Sequence, residues 1–164
     1  MNGRIVMLTR DVLQEHLDQL LLMDRGTPGE RWERDHFLHE MPGKWLSSRL
    51  ATDDAGNPTG FLVASIKPDA IHVHRVVVKA THRGQGIGTR LLQAVAQSAR
   101  ERAIPTITLK VPKSNTDAIR LYQRLGFQAS DGGPINWMCA VPTTTLLENT
   151  SRAGRSPGAS TTGS

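Results

Sequence analysis

Apolar and polar positions follow two rhythms along this chain. Ile5, Val6, Met7 and Leu8 stand in a row, which predicts a first strand over 4–9. Asp11 then offers a helix N-cap, and Val12, Leu13, Leu17, Leu20 and Leu21 recur at helical spacing up to Gly26-Thr27-Pro28-Gly29. A shorter helix is expected over about 30–40, with Trp32, His36, Phe37 and His39, ending before Met41-Pro42-Gly43. Segments 45–51 and 61–66 read as paired strands around the turn formers of 53–58. A long β-branched strand follows over 71–78, then a glycine loop and a helix over about 86–102 whose Leu91, Leu92, Val95 and Ala99 share one face. Pro105 opens a strand over 106–111, and Ser114 or Asn115 caps a helix that runs to Leu125 and stops at Gly126. Segments 127–129 and 135–141 are the expected closing strands.

Past Val141 the pattern ends. Seventeen of the 23 residues from Pro142 onward are Ser, Thr, Gly, Ala or Pro, so 142–164 reads as a disordered tail appended to one domain over 1–141. A chain of 164 residues, 38% hydrophobic and 21% charged, fits one globular core. No apolar run approaches the ~18 residues of a membrane helix, so no membrane partner is expected. Arg4, Arg10 and Asp11 interrupt any secretory pattern. The lone Cys139 excludes an internal disulfide and fits a reducing cytoplasm. The net charge of +5 suits an anionic ligand, while the lack of a basic block with interleaved aromatics argues against nucleic acid.

The stretch Val76-Val77-Val78-Lys79-Ala80-Thr81-His82-Arg83-Gly84-Gln85-Gly86-Ile87-Gly88-Thr89 carries the chemistry. A strand enters a loop with three glycines in five residues, and a helix begins at once. Glycine lets backbone N–H groups approach a ligand closely, and the first N–H groups of a helix lack internal partners. The helix dipole favours an anion there, so a phosphate or pyrophosphate is the natural guest. Arg83 adds a cation and Thr89 a hydroxyl. It is not a Walker loop, because no Gly-Lys-Ser/Thr follows, and Thr89 stands where a dinucleotide fingerprint needs its third glycine.

Arg83, Gly86 and Gly88 resemble the Arg/Gln-x-x-Gly-x-Gly/Ala motif of the GNAT superfamily of N-acetyltransferases. A second block agrees in order and spacing: Leu109-Lys110-Val111, then Asn115, Ala118, Ile119, Tyr122 and Leu125-Gly126-Phe127. The resemblance implies an α/β (α+β) fold, with a mixed, mostly antiparallel sheet flanked by helices on both faces. It implies acetyl-CoA as co-substrate, held by Val76, Val77, Val78, Arg83, Gly84, Gln85, Gly86, Ile87, Gly88, Thr89 and Asn115. The strand ending at Val78 would splay from its neighbour, and its open backbone N–H groups, around Val77 and Val78, would bond the pantetheine and polarise the thioester. Tyr122, the only tyrosine, would be the general acid for the leaving thiolate.

The general base stays open. His72 and His74 lie two apart on one strand and so share a face. Either imidazole suits proton abstraction at neutral pH; Glu33, Glu40 or a water relay are the other readings. No third ligand accompanies the histidines, so no metal is expected. Trp32, Glu33 and His36 are candidate acceptor-site residues, with Glu40 and Trp45 as further lining. The reading is acetylation of a primary amine of a small molecule by direct attack. The alternatives are a protein N-terminus or lysine as acceptor, and a non-catalytic CoA-binding module. Family resemblance also admits a homodimer.

Overall fold

The computed structural model describes residues 3–27 and 29–154. Seven strands form one sheet: β1 (Arg4–Met7), β2 (Arg49–Thr52), β3 (Pro58–Ile66), β4 (Ala70–Val78), β5 (Thr106–Pro112), β6 (Gln128–Asp131) and β7 (Asn136–Pro142). Their spatial order is β1-β2-β3-β4-β5-β7-β6. Every pairing is antiparallel except β4 with β5. Six helices accompany the sheet: α1 (Arg10–Asp24), α2 (Arg34–Leu38), α3 (Lys44–Ser47), α4 (Ile87–Glu101), α5 (Thr116–Arg124) and α6 (Thr143–Gly154).

The long β3 is buried over nearly its whole length, as a central strand covered on both faces must be. On one face Leu13, Leu17 and Leu20 of α1 and Phe37 of α2 pack with Leu50, Phe61, Val63 and Val77. On the other, Leu91, Leu92, Val95, Ala96 and Ala99 of α4 meet Leu62, Ala64, Ile71, Val73, Ile107 and Leu109, with Tyr122 and Leu146 joining them. The expected mixed sheet with helices on both faces is therefore the observed fold.

Several boundaries differ from the sequence reading. The cap of α1 is Thr9, whose Oγ1 accepts from the Val12 N–H at 3.3 Å, rather than Asp11. Helix α2 is a short remnant of the helix expected over 30–40. The beginning of the strand expected over 45–51 is instead α3. Lys44 explains that turn: its side chain is buried, and Nζ donates to the carbonyls of Phe37 at 2.5 Å and His39 at 2.6 Å. Burial pushes its pKa down to about 8. Ser47 Oγ donates to the Gly43 carbonyl at 2.8 Å and tightens the same turn.

The largest correction concerns the expected tail. Residues 143–154 form α6, which packs on α4 with Leu146 fully buried. Thr143 Oγ1 donates to the Ile104 carbonyl at 2.7 Å, and Asn149 Nδ2 to the Leu125 carbonyl at 2.8 Å. Thr143, Leu146, Leu147 and Thr150 repeat at helical spacing, a stripe hidden by the small polar residues around it. Positions 155–164 of the expected tail lie outside the described residues.

Candidate active site

The site forms where β4 and β5 part. Their parallel register runs from Ala70 opposite Thr106 to Val73 opposite Leu109 and goes no further. At that point β4 slips against β3: Val63 pairs with Arg75 and Ala64 with Val73, leaving His74 as the extra residue of a β-bulge. Beyond it, β5 continues along β7 from Lys110 to Pro112, while β4 continues along β3 to Val78. The two strands therefore diverge with their facing edges open.

Backbone alternation assigns those edges. The Lys79 N–H donates to the Thr59 carbonyl at 2.8 Å, so Lys79 faces β3. Counting back by two, Val77 faces β3 as well, and Val76 and Val78 turn their backbone groups toward the opening. Arg83 Nε bonds the Val78 carbonyl at 3.0 Å from that open side. The sequence reading centred the open N–H groups on Val77 and Val78; the strand's phase moves them to Val76 and Val78.

Downstream, a single 3-10 turn over Ala80–His82 leads into Arg83 and the glycine loop. Gly84 and Gly86 adopt φ of 80° and 82°, and a Cβ built on either would meet no atom within 4 Å. Positive φ explains glycine at both positions, and the open space leaves the loop backbone accessible to a ligand. Gly86 is the N-cap of α4, so the free N–H groups of Ile87, Gly88 and Thr89 follow at once. Gln85, Arg83 and the two glycines are exposed. A long ligand with an anionic pyrophosphate fits this cradle and the adjoining open strand edge, so the residues present suit CoA.

At the divergence a narrow cleft is lined by Thr27, His74, Arg75, Asn115 and Tyr122, with backbone-flanking residues of β4 and β5. Tyr122, the general acid by resemblance, and His74, one of the candidate bases, thus line one space. His74 Nε2 and Ser65 Oγ are 2.8 Å apart. His72 lies behind it, its ring 4.7 Å from that of His74 and its Nδ1 2.7 Å from Thr108 Oγ1. Burial lowers both imidazoles, with His74 pushed down to about 4, so both are neutral at physiological pH.

Tyr122 is buried with its ring 5.4 Å from that of Phe127, and burial raises its pKa well above the usual phenol value. A phenol so placed is protonated at physiological pH and stands as a proton and hydrogen-bond donor in the cleft. Asn115 borders the cleft while its Oδ1 caps α5 by accepting from the Ala118 N–H at 3.3 Å. Cys139 is buried and its thiol pushed up by burial, so it is held as the neutral thiol.

The expected acceptor residues separate. Trp32 stands beside the site, its ring 5.8 Å from the Arg75 guanidinium carbon. Glu33 and His36 are exposed at the start of α2, where the Glu33 N–H donates to His36 Nδ1 at 2.8 Å. Glu40 pairs with Arg10 and accepts the Trp45 indole N–H. Two residues of the cleft wall, Thr27 and Arg75, escaped the sequence reading, as did the buried Asp24 that pairs with Arg75. The available signal was a charged residue, Arg75, beside His74 at the start of the apolar run Val76-Val77-Val78. Among the described residues, no cluster of three or more His, Cys, Asp or Glu is placed to hold a metal. Nor is any described helix long and apolar enough to cross a membrane.

With that geometry in hand, the comparisons converge. Residues 11–127 match the acetyltransferase (GNAT) family. The chain belongs to that family. It is an acyl-CoA-dependent N-acetyltransferase with acetyl-CoA as co-substrate. A ribosomal protein bS18-alanine N-acetyltransferase from Haemophilus ducreyi is 24% identical over 116 residues, covering 71% of this chain and 79% of that one. The crystal structure of the corresponding Escherichia coli enzyme superposes with a TM-score of 0.73 at 21% identity, over 86% of this chain and 94% of that one. A nourseothricin acetyltransferase structure gives a TM-score of 0.54 at 29% identity, over 59% and 66% of the two chains.

Proposed function

We propose that the acceptor is the α-amino group of a polypeptide N-terminus. The observation that carries this reading is the lining of the cleft, which among the described residues holds no carboxylate and, as its one candidate base, His74. Burial holds it neutral and weakly basic, at about 4. Such a group accepts a hydrogen bond from an amine but is a poor match for a lysine-like ammonium near 10.4. An α-amine, with a pKa of about 7.7–8.0, is partly neutral at physiological pH without help. The name of the Haemophilus ducreyi relative, a ribosomal protein alanine N-acetyltransferase, supports the same class.

In this reading the neutral amine, oriented by His74, attacks the thioester carbonyl carbon. The backbone N–H groups of Val76 and Val78 hold the developing oxyanion. As the C–N bond forms and the C–S bond breaks, the Tyr122 hydroxyl gives its proton to the sulfur. The nitrogen's excess proton leaves to water past His74 and ultimately restores the Tyr122 phenol. No covalent acyl-enzyme is required.

The experiment is thiol release from acetyl-CoA across a panel of acceptors: peptides with free N-termini, the same peptides blocked at the N-terminus but carrying lysine, amino sugars and polyamines. Free N-termini should be acetylated and the blocked lysine peptides left untouched. Turnover confined to lysine peptides would defeat the proposal. Turnover confined to amino sugars or polyamines would establish the second reading, a small-molecule amine, which the likeness to the nourseothricin enzyme favours.

A further inference from the structure

Two buried polar atoms on the wall of the cleft have no hydrogen-bond partner among the described residues: Arg75 Nη2 and Thr27 Oγ1. Asp24, wholly buried at the end of α1, accepts Arg75 Nε on Oδ1 at 2.6 Å and the Trp32 N–H on Oδ2 at 2.8 Å. The Thr27 N–H donates to the Asp24 carbonyl at 3.0 Å. Arg75, with a side chain 11% exposed, is thus fixed by a carboxylate and lies near the Trp32 ring. An unused N–H of a held guanidinium and an unused hydroxyl, on residues lining one cleft, are costly to bury unless something else completes them.

We infer that Arg75 Nη2 and Thr27 Oγ1 bind the carbonyl oxygen of the acceptor's first residue, which makes this chain selective for amines one carbon removed from an amide carbonyl. The inference rests on the α-amine reading above and deepens it. Both residues line the same cleft as His74, so an α-amine at the imidazole would carry its own carbonyl along this wall. Both atoms can donate a hydrogen bond, as a carbonyl oxygen requires. Asp24 already neutralises the guanidinium, so the pair suits an uncharged amide oxygen better than a free carboxylate. Amino sugars and polyamines offer no such group in that position.

The test uses the full-length enzyme with acetyl-CoA and three acceptors. These are a tripeptide amide beginning with alanine, its analogue with the first amide replaced by a trans-alkene, and free alanine. The alkene keeps the shape and removes the carbonyl. In the wild type it should lose about 10–100-fold in kcat/KM, mostly through KM, as expected when a buried donor is left unpaired. Free alanine should also trail the peptide. Thr27→Val should weaken the peptide about 3–10-fold and leave the alkene unchanged. The double variant Asp24→Asn with Arg75→Gln, which leaves no unpaired charge, should narrow the gap further.

An alkene as good as the peptide, free alanine better than it, or variants that depress peptide and alkene equally would each overturn the carbonyl assignment. Those results leave the α-amine reading standing. If no free N-terminus is acetylated while CoA still raises the melting temperature, the α-amine reading itself has failed and the assignment falls with it.

Discussion

Ser65 Oγ and His74 Nε2 lie 2.8 Å apart, joining β3 to β4 at the residue where their register slips. The bulge that opens the sheet and the hydrogen bond that fixes the imidazole are therefore one local arrangement. It also sets a pH response. Burial pushes His74 down to about 4, against about 6.5 for the unfolded chain. Between those values the unfolded chain binds a proton that the folded site refuses, so stability is full above about 6.5 and falls as the pH drops toward 4. His72, lowered by the same cause, acts in the same direction. The melting temperature should fall between pH 7 and pH 5, and His74→Asn should flatten that dependence. An equal fall in the variant would show that other groups govern it.

Tyr122→Phe should reduce kcat by about 10²-fold or more, the usual worth of a positioned general acid. The melting-temperature rise caused by CoA should persist, because the phenol hydroxyl is assigned to proton transfer and not to holding CoA. Unimpaired turnover would remove Tyr122 from the mechanism. No second tyrosine exists in the chain to substitute for it.

Two glycines of the loop should respond in opposite ways. Gly86, at φ 82°, has open space around a would-be Cβ. Alanine there meets no clash in the protein but must hold a left-handed conformation, at about 1–2 kcal/mol. Gly86→Ala should therefore weaken CoA binding by distorting the start of α4. Gly88 has no positive φ, and its would-be Cβ sits 3.6 Å from Leu121, an ordinary contact. Gly88→Ala should fold with wild-type stability. Titrations of both variants with CoA, read by melting temperature or calorimetry, check the contrast.

Helix α6 is structural. Leu146 is fully buried against the α4 face of the core, and Leu146→Ala should cost about 2–5 kcal/mol. Truncation after Pro142 should cost more, since it also strips the Ile104 and Leu125 carbonyls of their partners Thr143 and Asn149. Urea unfolding of both variants measures this. A truncated chain as stable as the full one would return the segment to the status of an appendage.

The contrast between α6 and the glycine loop shows what the sequence makes legible. The loop is visible because its chemistry is local: strand, glycines and helix start are consecutive, and Tyr122 follows in the next βα unit. The face shared by His72 and His74 is equally local, a matter of strand alternation. Helix α6 was hidden because its apolar stripe consists of two leucines and two threonines whose burial depends on α4. The Asp24–Arg75 pair joins residues 51 positions apart, and only the packing of α1 on the sheet brings them together. Alternation alone could not choose between Val77 and Val78 for the open edge either; the single bond from Lys79 to Thr59 sets that phase.

The Tyr122 ring also borders a second, apolar space, enclosed by Ile119, Phe127, Ala129, Trp137 and Cys139. Tyr122 thus stands as a partition between two rooms. A smaller residue at 122 would thin that partition, and on the proposed mechanism it would remove the proton donor in the same stroke. Under that mechanism the width of the cleft at this wall and the delivery of a proton are tied to one side chain, so neither can change alone.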